Sequence, residues 1–320
     1  MLMRVMLALS VCFLTLTSAQ ALCSKWGNPQ KVGALDSNII DESSGMEIST
    51  KGSQRIFHIN DSGDGPYFYV TNMEGENTRP ISIQDFSPVD VEDLTLGPCG
   101  GEKADEKSCL VIGDIGDNDR ARSHVSLVFV EQRESFAQSV SPHKILRVRY
   151  PDGAHNAEGM AMNAAGDVFI LTKEKHFSSQ QAAEAELFVL RREVIQRASS
   201  QTLEFEHVGS LDLPELLGDK FSANGKIVTA FDIAPDNSRA LILTYETALE
   251  VKWNKLTPSA GMNVNDWQIE RDFNRIQLKN LPQQEAAFLT SEGMFYSTEY
   301  KEDEGEASFY FVPCSGTIVD

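Results

Sequence analysis

Short apolar runs alternate with polar turns along most of this chain. Five segments share one arrangement. Each begins with a small or acidic pair, which is followed by alternating apolar residues and then by a turn. After the turn, a second apolar run ends in a polar cluster. Period-two alternation is typical of half-buried β-strands. The first strands of the five segments are predicted at 44–48, 92–96, 158–162, 231–235 and 285–289. Two more strand candidates follow in each of the first four segments; in the third and fourth, the outermost are predicted at 203–205 and 267–269.

The fifth segment lacks a strand, since only residues 309–312 follow its first pair. Residues 31–35 precede the first segment, belong to no repeat, and are expected to supply the missing strand. Repeats of about 60 residues with four strands each are compatible with propeller blades. The sequence therefore predicts an all-β fold: a single β-propeller of five four-stranded blades, with the ring closed by an N-terminal strand. The alternatives are six blades, with an irregular blade in residues 176–226, and an open β-sandwich.

The first 21 residues have the features of a secretory signal. Arg4 precedes an apolar run over 6–16, and Ala19-Gln20-Ala21 has the small residues of a cleavage site. We expect removal of residues 1–21 and a propeller domain over 22–320, secreted or periplasmic. No later segment is apolar enough to insert into a membrane.

Four cysteines remain after this cleavage: Cys23, Cys99, Cys109 and Cys314. An even number in an exported chain favours disulfides over metal ligation. Cys99 and Cys109 bracket a charged loop, so a local bridge between them is expected, and Cys23–Cys314 would then join the chain ends. The formal net charge of −19 argues against a nucleic-acid partner. We expect a monomer whose partner is a small molecule or a protein.

Propeller topology gathers distant acids. Because the innermost strands all begin at one mouth of the central channel, five acids should converge there: Glu42, Glu92, Glu158, Asp232 and Glu285. The ends of the second strands should surround them with further polar side chains: Asn60, Asp61, Asp117, Asn118, Lys173, Tyr245 and Glu299. Crowded carboxylates take up protons unless a cation neutralises them. Oxygen ligands suit Ca²⁺, so the sequence predicts a calcium site; the alternative is that these acids pair with strand-end amides, lysines and arginines.

Catalytic motifs are scarce. The chain contains no His-Glu-x-x-His and no Gly-x-Ser-x-Gly, and the Asp-rich loops at 61–65 and 114–119 lack the twelfth-position glutamate of an EF-hand. His58 and His155 are candidate proton carriers beside the mouth. Glu158 or His155 is the candidate catalytic base.

Several short motifs occur in a characteristic order: Glu-Ser-Ser-Gly (42–45), His-Ile-Asn-Asp-Ser-Gly (58–63), Val-Glu-Asp-Leu (91–94), Gly-Asp-Ile-Gly-Asp-Asn (113–118), Tyr-Pro-Asp-Gly (150–153) and Ala-Glu-Gly-Met (157–160). Together they resemble a family of bacterial exported β-propeller proteins. That family is related to the esterase-like phytases and to the calcium-dependent lactonase and phosphotriesterase propellers. The resemblance implies a propeller and favours a central Ca²⁺.

Two functions are compatible with these features. The first is a binding or scaffold propeller whose acidic mouth holds Ca²⁺. The second is a metal-dependent hydrolase of phosphate esters or lactones. We prefer the first, because no nucleophile or base stands out in the sequence.

Overall fold

The computed structural model describes residues 22–100, 107–175, 181–257, 262–279, 281, 283–299 and 307–315. The predicted signal at 1–21 lies outside the described residues. Within them, the strands form five sheets arranged as a five-bladed β-propeller, as predicted. The six-bladed alternative is wrong, because the described part of 176–226 supplies strands to blades two and three and two short helices.

The strands, in chain order, are β1 (Gln30–Ala34), β2 (Ser43–Ile48), β3 (Ile56–Asn60), β4 (Tyr67–Thr71), β5 (Arg79–Ile83), β6 (Asp93–Pro98), β7 (Ser108–Asp114), β8 (Val125–Glu131), β9 (Ser139–Val140), β10 (Lys144–Arg149), β11 (Ala157–Met162), β12 (Val168–Thr172), β13 (Ala185–Leu190), β14 (Leu203–Glu204), β15 (Glu206–Leu211), β16 (Val228–Ile233), β17 (Arg239–Thr244), β18 (Thr247–Lys252), β19 (Phe273–Gln277), β20 (Gln284–Leu289), β21 (Gly293–Thr298) and β22 (Ser308–Pro313). The helices are α1 (Arg192–Arg197) and α2 (Leu213–Leu217).

Each blade is an antiparallel sheet of four main strands, which are consecutive in the chain except that β1 completes blade five. Blade one is β2-β3-β4-β5, blade two β6-β7-β8-β10, blade three β11-β12-β13-β15, blade four β16-β17-β18-β19 and blade five β20-β21-β22-β1. The short strands β9 and β14 add in parallel to the outer edges of blades one and two. The inner strands β2, β6, β11, β16 and β20 contact one another in a closed ring around the axis.

The N-terminal strand closes the ring, as predicted. β1 pairs antiparallel with β22, with Ala34 opposite Ser308. The closing disulfide, Cys23–Cys314, joins the same two ends, and the local disulfide, Cys99–Cys109, clamps a loop of blade two. Both predicted bridges are confirmed. Disulfides are typical of proteins that fold in an oxidising, extracellular environment. No helix in the described ranges is long and apolar enough to cross a membrane.

Apolar side chains between neighbouring blades form the core. Inner and middle strands such as β12 and β17 are buried along their full length, because both faces of their sheets are covered. The outer strand β10 instead alternates exposed and buried residues. The contacts between blades three and four include Leu171, Leu187, Phe231 and Ile242. Each blade is therefore stabilised mainly by its neighbours in the ring.

Two outer strands differ from the prediction. Blade three ends with β15, whereas β14, at 203–204, pairs with blade two. Blade four ends with β19, and 267–269 lies outside the strand. Leu203 and Phe205 pack into the core between blades two and three. Trp267 packs against the core between blades three and four. The apolar pattern reflected this burial correctly, but burial alone does not determine the sheet to which a segment is hydrogen-bonded.

A buried glutamate anchors the segment before β1. Glu250 on β18 accepts hydrogen bonds from the Cys23 backbone amide (2.9 and 3.0 Å to its two oxygens), from Trp26 Nε1 (3.0 Å) and from Asn274 Nδ2 (2.9 Å). The Arg239 guanidinium nitrogen Nε lies 3.1 Å from Glu250 Oε1, and both side chains are almost fully buried. The N-terminal segment is therefore tied to blade four before its strand enters blade five.

Candidate functional site

Local irregularities at the start of the inner strands build one mouth of the channel. In β2, β11, β16 and β20 the pairing register shifts, leaving an extra residue: Ser44, Glu158, Thr229 and Glu285. A β-bulge re-aims the side chain of its extra residue. In blade two, Glu92 immediately precedes β6, and its backbone amide donates to Gly113 O (3.0 Å). Corresponding positions in all five blades thus form an inner ring of three acids and two hydroxyls.

Residues that directly follow the second strands of the four blades other than blade two form an outer ring: Asp61, Lys173, Tyr245 and Glu299. Strand pairing sets this position, because the last residue of each second strand lies opposite the start of its inner strand. These last residues are Asn60, Thr172, Thr244 and Thr298. The predicted ligand-binding residues Asp61, Lys173, Tyr245 and Glu299 therefore occupy equivalent places.

Two groups of carboxylates converge at this mouth, and they share one member. The first carboxylate group is Asp61, Asp90 and Glu92; the second is Asp61, Glu285 and Glu299. Within each group, one oxygen from each residue lies within 4.8 Å of the others. Glu92 and Glu285 are 1% and 3% exposed, so these charges are shielded from water. Such oxygen sets suit a hard divalent cation.

Lys173 supplies the positive charge of the two rings. Its Nζ lies 2.5 Å from Glu158 Oε1 and 5.3 Å from the centroid of the Tyr245 ring. The other oxygen, Glu158 Oε2, is buried and has no hydrogen-bond partner within the described structure. Burial alone would lower the pKa of Lys173, but the Glu158 carboxylate together with Tyr245 and Glu285 outweighs burial and raises the pKa above its ordinary value. The lysine therefore stays charged.

Burial and mutual repulsion raise the pKa values of the acids. Burial is the largest cause for each, raising the pKa of Glu158 to about 7, that of Glu285 to about 8 and that of Asp90 to about 6. The next cause is the Glu158 carboxylate for Glu285 and the Asp61 carboxylate for Asp90. Burial also raises the pKa of Glu92 well above its usual range, with Glu158 as the next cause. Side chains from four blades thus share one electrostatic environment.

Two of the predicted metal ligands lie elsewhere. Thr229, not Asp232, occupies the bulge of β16, and Asp232 is three residues further along, about 10 Å at the usual strand rise. Its carboxylate accepts hydrogen bonds from the backbone amides of Ile233 and Leu289 (both 2.7 Å). Glu42 is exposed, outside the buried ring. The expected five-acid ring is therefore reduced to Glu92, Glu158 and Glu285, because two bulge positions carry hydroxyls.

Each of the two candidate histidines contacts a polar side chain of a neighbouring residue. His58 is fully buried in blade one, where Nε2 lies 2.9 Å from Thr71 Oγ1, and burial lowers its pKa to about 3. His155 lies between Glu174 (2.9 Å) and Asp152 (3.1 Å). Burial would lower the pKa of His155, but these hydrogen bonds raise it. All three of these partners lie outside the two carboxylate groups.

The other predicted ligands organise loops. The Asp117 carboxylate accepts the backbone amides of Ala121 (2.9 Å) and Arg122 (2.8 Å), which is turn geometry. Asn118 is exposed and accepts a hydrogen bond from Asn156 Nδ2 (3.2 Å). Asn60 donates to Ile39 O (2.9 Å), while its own oxygen is buried without a hydrogen-bond partner among the described residues.

Several contributors were not predicted. Asp90 enters the first carboxylate group from the loop before β6. Gln283 Nε2 donates to Glu285 Oε1 (3.0 Å) and Glu299 Oε2 (2.9 Å), holding both carboxylates in place. Gly116 lies so close to Asp90 and Glu92 that a Cβ atom there would overlap both carboxylates. Asp90 directly precedes the motif at 91–94 and Gly116 lies within the motif at 113–118.

Comparisons with known proteins show likeness in structure alone. No family model matches the chain, and no curated protein matches it in sequence. Among solved structures, a glucose dehydrogenase is 9% identical with a TM-score of 0.47 and coverage of 90% of this chain and 100% of its own. A Penicillium chrysogenum α-L-arabinanase is 10% identical, with a TM-score of 0.43 and coverage of 92% and 100%. A gluconolactonase from Xanthomonas campestris is 8% identical, with a TM-score of 0.40 and coverage of 82% and 69%.

Proposed function

We propose that this protein is an exported Ca²⁺-binding β-propeller that acts as a binding or scaffold module through its acidic channel mouth. The observation that carries the proposal is the convergence of carboxylate oxygens from distant parts of the chain, within 4.8 Å in each carboxylate group. Repulsion among buried carboxylates is relieved when a cation binds. Glu158 Oε2 is also buried and has no hydrogen-bond partner in the described ranges, so a bound cation would stabilise it as well.

The chemistry of the donors favours Ca²⁺ over other metals. Both groups consist only of Asp and Glu, with no histidine or cysteine among the residues described there. Zinc prefers nitrogen and sulfur ligands, whereas Ca²⁺ takes six to eight oxygens in flexible geometry. Asp61, Asp90, Glu92, Glu285 and Glu299 would hold the ion.

Calorimetric titration of the chelator-treated protein with CaCl₂, and then with MgCl₂, tests this proposal. We expect saturable Ca²⁺ binding and a rise in melting temperature, since a ligand at about 100 times its Kd stabilises by about 2.7 kcal/mol. Asp61→Asn should weaken binding at least tenfold. Asp119→Asn removes an exposed acid that belongs to neither carboxylate group and should have no effect. Absence of both heat and thermal stabilisation would refute Ca²⁺ binding.

A binding role agrees with the engagement of the candidate bases. Glu158 Oε1 is paired with Lys173, and both nitrogens of His155 contact acids. The second candidate function is hydrolysis of phosphate esters or lactones, which Lys173 favours because an ammonium beside a bound cation suits an anionic oxygen. A bound Ca²⁺ would polarise such an oxygen. A panel of these substrates separates the two roles: Ca²⁺-dependent turnover that Glu158→Gln abolishes supports the hydrolase, and stabilisation without turnover supports the binding module.

Export is tested separately. The two disulfides support an oxidising compartment. Amino-terminal sequencing of the protein from an extracytoplasmic fraction should begin at Leu22. A retained residue 1 in a cytoplasmic fraction would contradict export.

A further inference from the structure

Asp61 belongs to both carboxylate groups. The first group lies on the blade-two side of this residue, since Asp90 and Glu92 precede β6. The second lies on the blade-five side, since Glu285 starts β20 and Glu299 follows β21. A carboxylate has two oxygens and about four lone-pair directions, so it can contact two cations at once. The arrangement therefore provides two adjacent oxygen sites with one common ligand.

The formal charge at the mouth exceeds what one divalent cation neutralises. The six carboxylates are Asp61, Asp90, Glu92, Glu158, Glu285 and Glu299, and Lys173 is the ammonium among them. Their formal sum is minus five. One divalent cation leaves minus three, and two leave minus one. A large uncompensated charge is unfavourable where most of the acids are shielded from water, so charge balance favours the second ion.

Glu158 gives an independent indication of a ligand. Its side chain is 2% exposed, and Oε2 has no hydrogen-bond partner within the described ranges. Its carboxylate interacts electrostatically with Asp61 and Asp90 on one side and with Glu285 on the other. A buried carboxylate oxygen without a hydrogen-bond partner is rare in native proteins, and a bound ion can satisfy it. Lys173 already satisfies Oε1 but leaves Oε2 without a hydrogen-bond partner among the described residues.

Neighbouring groups hold the carboxylates of both sites in place. Gln283 holds Glu285 and Glu299, as described above. Ser44 Oγ lies 3.3 Å from Glu92 Oε2 and donates to the Glu92 backbone oxygen (2.6 Å). Ligands fixed in this way lose little side-chain freedom when an ion binds.

We propose that the channel mouth binds two divalent cations, one in each carboxylate group, with Asp61 bridging them. This inference rests on the proposed function and deepens it. The first ion contacts Asp61, Asp90 and Glu92, and the second contacts Asp61, Glu285 and Glu299.

Stoichiometry of Ca²⁺ binding tests the inference. The chelator-treated mature protein is titrated with CaCl₂ by calorimetry, and bound calcium is counted by equilibrium dialysis with elemental analysis. Two tight ions per chain support the inference. One ion overturns it and leaves the proposed function intact, whereas no tight ion overturns both.

Three variants assign the ions to the groups. Asp90→Asn and Glu299→Gln are near-isosteric, and each should reduce the number of tight ions from two to one. Asp61→Asn should weaken both ions at least tenfold, and Asp119→Asn should leave two. Circular dichroism confirms folding of each variant. If Asp61→Asn affects only one ion, or if Asp90→Asn and Glu299→Gln in combination still leave two, the shared-ligand arrangement is wrong.

Discussion

Replacing Glu250 by alanine should strongly destabilise the propeller. The variant leaves Arg239, whose side chain is 3% exposed, as a buried charge without its carboxylate. Removing one partner of a buried ion pair costs about 3–5 kcal/mol. The Cys23 amide, Trp26 Nε1 and Asn274 Nδ2 also lose an acceptor. Even one donor left unsatisfied adds about 1 kcal/mol, so we expect a total of about 4–6 kcal/mol.

Urea unfolding followed by tryptophan fluorescence measures this change. The chain has three tryptophans, and Trp26 lies in the segment that Glu250 anchors. With a slope of about 3 kcal/mol per molar urea, the midpoint should fall by about 1.3–2 M. Glu204→Ala is the matched control, because Glu204 pairs with Arg149 at the surface, where the side chains are 49% and 61% exposed. That pair should contribute less than about 1 kcal/mol.

A double variant separates the charge from the packing. Arg239→Met combined with Glu250→Leu removes both charges, so it should recover part of the stability lost by Glu250→Ala. The reasoning is refuted if Glu250→Ala costs no more than Glu204→Ala. It is also refuted if the double variant is less stable than Glu250→Ala alone.

Three further outcomes follow from the structure. The closing and local disulfides join residues 291 and 10 positions apart. Chain entropy predicts that the free energy of unfolding falls by about 5–6 kcal/mol when serines replace the closing pair and by about 3 kcal/mol when they replace the local pair. Equal urea midpoints of the two variants would contradict this prediction. His58 has a folded-state pKa of about 3, whereas its unfolded pKa is about 6.5. The contribution of neutral His58 to the free energy of unfolding is therefore complete above about pH 6.5 and falls by up to about 1.4 kcal/mol per pH unit as the pH decreases toward about 3. If the stabilities of wild type and His58→Gln depend on pH in the same way, this prediction is wrong. Gly116→Ala should weaken Ca²⁺ binding at least tenfold by displacing Asp90 and Glu92, and calorimetry should show no such effect for Asp119→Ala.

The fold was predictable because the same pattern of strand-forming residues recurs in each of the five segments. Alternation placed the inner strands, and a missing strand in the fifth segment matched the unassigned residues 31–35, which overlap β1 of blade five except for the last residue. The errors fell at outer strands, where segments such as 203–205 are buried by core packing although the pairing there is short. Periodicity reports burial, whereas hydrogen-bond partners in loops depend on the assembled ring.

The site was predictable only where a repeat carries an acid. Glu92, Glu158 and Glu285 were placed correctly because each lies at the start of its inner strand. An acid was predicted in every segment, which made Asp232 the fourth member, whereas β16 has Thr229 at this position. Asp90 comes from a connecting loop, whose path no strand periodicity describes. A bulge adds one residue to the count, so alignment by alternation alone shifts by a residue or two at these positions.

The closure of blade five by β1 has a consequence for biosynthesis. A ribosome makes β1 before every other strand of the ring and β22 after all of them. A nascent chain of four blades is therefore an open arc, and the outer edge of β22 stays unpaired until the first-made strand returns to it. Unpaired strand edges are sites of aggregation. Until β1 pairs with it, the edge of β22 is thus a site at which one copy of this protein can associate with another.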